Sequence, residues 1–83
     1  MVLHEFEIRI AEIYVPLKLR KPLDEDKVLA LAESIQAEGQ KIPIQVREDN
    51  TRYVLVSGLH RVEALKLLGR ERVTAHVVHA RLV

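Results

Sequence analysis

The pentapeptide Ser57-Gly58-Leu59-His60-Arg61 stands between an apolar strand pattern at residues 53–56 and a helical pattern beginning near Leu59. It places a helix directly behind a strand, so the chain must combine both kinds of element. A glycine at such a turn lets backbone N–H groups approach a ligand closely. The start of the helix adds partial positive charge and free N–H donors, which suit phosphate. His60 and Arg61 stand in that same first turn, where cations oppose the helix dipole. Folding alone gives little reason for them, whereas an anionic ligand does. The competing reading is an ordinary tight connection with His60 and Arg61 merely exposed.

With 83 residues the chain reads as one domain, near the small end of what folds without staples. It contains no cysteine, which excludes disulfides, Cys-ligated zinc and thiol catalysis. No apolar run approaches the roughly 20 residues of a membrane span, and residues 1–6 lack the apolar segment of a secretory leader. A cytoplasmic address follows by elimination. Charge is balanced, with Lys+Arg 13 against Asp+Glu 12, whereas a bulk-electrostatic nucleic-acid binder carries a large basic excess. Any DNA contact is therefore expected to be weak, local or supplied by another protein. Phe6, Tyr14 and Tyr53 are too few for a base-stacking platform.

Phe6, Ile8 and Ile10 alternate with Glu7 and Arg9, predicting a half-buried strand. A short turn at residues 11–13 follows, then a brief pairing at Tyr14-Val15 that Pro16 stops. Residues 17–22 form a basic loop with Lys18, Arg20 and Lys21, candidates for DNA or phosphate contact. Asp24 is a good N-cap, with Glu25 and Asp26 in the first turn. Val28, Leu31, Ala32 and Ile35 recur at helical spacing until Gly39 ends the helix. Ile42, Ile44 and Val46 alternate as a second strand, joined through the polar turn 48–51 to residues 53–56. That last run is apolar on both faces and predicts a central strand. A second helix, about 59–68, turns Val62, Leu65 and Leu68 inward and stops at Gly69. Val73, Ala75 and Val77 make a final strand. The expected fold is α+β, a mixed sheet of four to five strands packed with two main helices.

On a wheel of about 100° per residue, Lys27 and Ser34 fall almost on one line at the rim of the first helix. They read either as a stripe that holds a phosphate or sugar, or as a solvated lysine and a tolerated hydroxyl. His76 and His79 fall on opposite faces of a strand pattern and cannot share a metal. The carboxylates are dispersed, and no metal site is legible. Glu63 reads as a group that orients Arg61 or, preferably, as an acid offsetting neighbouring cations.

Together, Leu31-Ala32-Glu33-Ser34-Ile35 with Gly39 and Pro43-Ile44, then Gly58-Leu59-His60-Arg61, then Ala64 with Leu68-Gly69, resemble the fold family shared by sulfiredoxin and the N-terminal domain of ParB partition proteins. The resemblance covers about residues 8–78 and implies a nucleotide-binding domain. In ParB proteins the second motif reads Gly-Glu-Arg-Arg and holds the phosphates of a cytidine nucleotide. In sulfiredoxins it reads Gly-Cys-His-Arg, with a catalytic cysteine and a turn that holds ATP phosphates. Here Leu59 stands where that cysteine belongs, so reduction of a sulfinic acid is excluded. The resemblance implies nucleotide contacts at Lys27, Ser34, Gly58, Leu59, His60 and Arg61. ATP is favoured over CTP because His60-Arg61 is the sulfiredoxin-like form, and Mg²⁺ is an accompanying ion. Weak NTPase activity, with Glu63 or Glu38 orienting water, stays open. So do a DNA-associated regulatory or nuclease module in a plasmid or chromosome-partition setting, and a non-catalytic domain with a protein partner and an exposed Leu59. The helix-turn-helix and dimerisation domain of partition proteins have no room in 83 residues.

Overall fold

The computed structural model describes residues 4–20 and 23–79. Its strands are β1 (Glu5–Arg9), β2 (Ile13–Tyr14), β3 (Ile44–Asp49), β4 (Arg52–Ser57) and β5 (Arg72–Val77). Its helices are α1 (Glu25–Glu38) and α2 (Leu59–Leu67), with short 3₁₀ turns at Ile10–Glu12 and Leu17–Leu19. The five strands form one mixed sheet in the order β1-β5-β3-β4-β2. β3 runs antiparallel to β4 and parallel to β5, β1 antiparallel to β5, and β2 parallel to β4.

Strand alternation decides which face is covered. Ile8, Val73, Ala75, Ile44, Val46 and Leu55 point to one side and meet Ala32, Ile35, Val62, Ala64 and Leu65 from the two helices. Burying each Val, Leu or Ile of this set stabilises by about 1.5–3 kcal/mol, and among the described residues no polar or charged side chain is buried with them. Asp24 caps α1 as its position predicts: its Oδ1 accepts from the Lys27 N–H at 3.2 Å. At the other end Gly39 adopts φ 81°, and its N–H donates to the Ile35 carbonyl. The hairpin turn narrows to Asn50-Thr51, because Asp49 already pairs with Arg52.

Three expectations need correction. Phe6 does not share the burial of Ile8: it is 50% exposed and lies outside the cluster that Ile8 joins. Residues 53–56 are internal but not central, since β3 takes the middle of the sheet. Val54 is nevertheless buried on the helix-free face, flanked in register by Tyr14 and Arg47, whose ring and stem shield it. Finally, Ile42 lies outside β3 and is exposed. The following Pro43 has no N–H to give a ladder.

A side chain fills the missing rungs. Gln40 Oε1 accepts from the Thr74 N–H at 2.9 Å, and its Nε2 donates to the carbonyls of Thr74 at 3.0 Å and Ile42 at 2.9 Å. The amide thereby extends β3 backwards along β5. Gln40→Ala leaves part-buried Thr74 groups unpaired and is expected to cost about 2 kcal/mol, read as a lower denaturation midpoint in urea. An unchanged midpoint would show that water replaces the amide without loss.

Candidate functional site

α2 starts at the carboxyl end of β4, and Gly58 makes the corner with φ 110° and ψ 25°. The corner is also tight. A Cβ at this position would lie 2.6 Å from Ile44 Cγ2 and 3.2 Å from Ile44 Cα. Glycine therefore serves both the left-handed backbone and the approach of the turn to β3. It brings no side chain to cap the helix, so α2 begins without a side-chain cap bond. The first amides of the helix have no intrahelical acceptor. They point to where an anion would sit.

α1 comes to the same place from the other direction. Lys27, Leu31, Gly58, Leu59, His60 and Arg61 line a cleft of about 200 Å³. No carboxylate lines it, and neither Lys27 nor Arg61 has an ion pair among the described residues. Two uncompensated cations facing uncapped amides form a positive pocket. The Asp24 N–H donates to His60 Nε2 at 3.3 Å, tying the start of α1 to the first turn of α2. In this arrangement the His60 ring is a latch between the two helices, accepting that bond at Nε2.

Of the residues singled out in the sequence, Lys27, Gly58, Leu59, His60 and Arg61 come together. Ser34 does not line the cleft; it lies exposed further along α1, and Leu31 takes the place next to Lys27. Leu59 is half-buried and packs against the core, whereas the non-catalytic alternative alone expected it exposed; the apolar side chain finds the helix-covered face of the sheet. Glu63 faces away from Arg61 and pairs with Lys66 at 3.2 Å. Glu38 pairs with Lys41 beyond the end of α1. Of the basic loop, Lys18 and Arg20 do not join the cleft. Arg20 donates through Nε to the Val15 carbonyl at 2.9 Å, and its guanidinium stands 5.8 Å from the centre of the Tyr14 ring. Lys18 is exposed, and Lys21 lies outside the described residues.

Two features escaped the sequence. One is the His60 latch, which joins positions 36 residues apart and leaves no local signal. The other is a larger depression of about 720 Å³ behind Leu59, bounded by Ile13, Val15, Arg20, Leu23 and Glu63. Leu59 lines both spaces and separates them. Among the described residues no group of three or more His, Asp or Glu could hold a metal ion, and no helix is long and apolar enough to cross a membrane.

Sheet order, paired helices and a glycine-cornered turn define a class of small α+β domains whose second helix starts among cationic side chains. Within that class the chain belongs to the ParB N-terminal domain family, whose profile matches residues 3–81. It is 34% identical over 62 residues to the probable chromosome-partitioning protein ParB of Campylobacter jejuni, a match over 75% of this chain and 22% of that protein. It is 38% identical over 63 residues to the chloroplastic/mitochondrial sulfiredoxin of Arabidopsis thaliana, covering 76% of this chain and 50% of that protein. The crystal structure of Arabidopsis sulfiredoxin superposes with TM-score 0.85 at 31% identity, over 93% of this chain and 86% of that one. The Caulobacter crescentus ParB structure, complexed with CTP-gamma-S, gives TM-score 0.81 at 26% identity, over 94% and 46% of the two chains. The chain thus spans from about a fifth to half the length of these curated relatives.

Proposed function

We propose that this domain binds a nucleotide by its phosphates at the start of α2. The observation that carries the reading is the cleft itself: uncapped amides behind Gly58, faced by Lys27 and Arg61, with no carboxylate in its lining. Arg61 would pair with phosphate oxygens in a fork, and Lys27 would neutralise charge from the facing helix. A space of about 200 Å³ suits phosphate groups but not a whole nucleotide. The nucleoside would then lie over the surface of α1, toward the rim that carries Ser34. ATP is favoured, since His60-Arg61 has the sulfiredoxin-like form. CTP is the alternative, in keeping with the CTP-gamma-S held by the Caulobacter protein. Any Mg²⁺ would ride on the phosphates and water, given the cleft's lack of carboxylates. Binding is a better reading than hydrolysis, because Glu63 and Glu38 are both committed to lysines elsewhere. Thiol-dependent reduction has no nucleophile in a chain without cysteine.

The test is a titration of ATP, CTP and duplex DNA, each with magnesium, into isotope-labelled protein while amide shifts are followed. Shifts centred on residues 58–61 and Lys27 with ATP are the expected result. Silence of that turn toward every nucleotide at millimolar concentration would overturn the reading. A response to DNA alone, centred on Arg20, would replace it with a DNA-associated role.

A further inference from the structure

Among the described residues β1 is an edge strand at the side of the sheet away from β2, and its unpaired side carries a specific pattern. The Ile10 N–H donates to the Glu71 carbonyl, which sets the phase of the β1–β5 ladder. The Thr74 N–H and carbonyl both turn the other way, to Gln40, so the Glu7–Thr74 pair exchanges no hydrogen bond. Antiparallel pairs alternate between bonded and non-bonded. The backbone groups of Glu5, Glu7 and Arg9 therefore project to the free edge. On the helix side that edge presents Phe6, 50% exposed, flanked by Ile8 and Ile10. On the open side Arg9 stands directly opposite Arg72 in β5, and neither has a carboxylate partner among the described residues. Like charges in direct register are unfavourable unless something neutralises them.

We propose that the β1 edge pairs antiparallel with β1 of a second copy of this chain, about a two-fold axis at Ile8. The strand's own charges select both occupant and register. An axis at Phe6 sets Glu5 against the partner's Glu7, one at Glu7 sets that residue against itself, and one at Arg9 does the same with arginines. The axis at Glu7 also sets Glu5 against the partner's Arg9, but only the axis at Ile8 brings opposite charges together with no like pair in register, Glu7 facing the partner's Arg9 and Arg9 facing the partner's Glu7. Its helix-side row is then wholly apolar: Phe6 meets the partner's Ile10, and Ile8 meets the partner's Ile8. The outward backbone groups of Glu7 and Arg9 complete four hydrogen bonds across the axis. Each Arg9–Arg72 pair gains a carboxylate, and the two sheets become one. Short paired strands make this a weak dimer, populated at high protein concentration. The inference stands apart from the nucleotide reading, since β1 contributes nothing to that cleft.

Charge exchange tests it by sedimentation over a concentration series. The unaltered chain is expected to dimerise. Glu7→Arg and Arg9→Glu each set two like-charge pairs across the axis and raise the dimer dissociation constant at least about tenfold. Mixing the two variants, or combining both changes in one chain, restores complementarity and with it the dimer. All four proteins stay folded when dilute, because the altered side chains are exposed, and those with Arg9→Glu melt slightly higher because the new carboxylate faces Arg72. A chain monomeric even at millimolar concentration, single variants that dimerise as before, or a double variant that stays monomeric would each overturn the proposal.

Discussion

Alanine at position 58 is expected to lower the unfolding free energy by about 3–5 kcal/mol, and so to leave this domain largely unfolded near body temperature. Two costs combine. A φ of 110° is strained for any residue with a Cβ. In addition, the new methyl would lie only 2.6–3.2 Å from atoms of Ile44, which is fully buried and cannot yield without moving the central strand. Gly39 and Gly69 separate the two costs. Their φ values are 81° and 75°, but a Cβ at either would meet nothing within 4 Å. Alanine there carries only the strain, about 1–2 kcal/mol. A small domain loses about 4–8 °C of melting temperature per kcal/mol, so thermal melts of the three variants resolve the order. Equal losses at all three glycines would show that the approach to β3 is not what constrains residue 58.

Arg61→Ala is expected to abolish the nucleotide response of residues 58–61, weakening binding at least about tenfold while leaving the fold intact. The side chain is half-buried and has no ion pair among the described residues, so its loss orphans no buried charge. A planar fork contacts phosphate at two oxygens, whereas an ammonium contacts it as a point charge. Arg61→Lys should therefore recover only part of the affinity. Titrations of both variants against ATP, beside an unchanged circular dichroism spectrum, give the comparison. Full affinity in Arg61→Ala would move the phosphates away from this turn.

Local chemistry made much of the architecture legible. The Asp24 cap, the helical spacing from Val28 to Ile35 and the stop at Gly39 all depend on neighbours within a turn, and they lie where the chain placed them. Strand alternation likewise separated Val73, Ala75 and Val77 from their polar neighbours. Errors arose where distant parts of the chain intervened. Phe6 obeys the same alternation as Ile8 yet stays exposed at the edge of the sheet, outside the core cluster. Ile42 fits a strand pattern, but Pro43 and the Gln40 amide end the ladder ahead of it.

By itself, the sequence determined the types of element, the glycine corner after β4 and the absence of thiol chemistry. Each of these depends on a single residue's backbone freedom, spacing or functional group. Only the tertiary structure decided what surrounds that corner. It set Lys27 and Leu31 across from Arg61, left Ser34 outside, and joined the His60 ring to the Asp24 N–H. Such groupings follow from helix packing across tens of residues, where one turn of rotation selects a different side chain. No local pattern records that rotation.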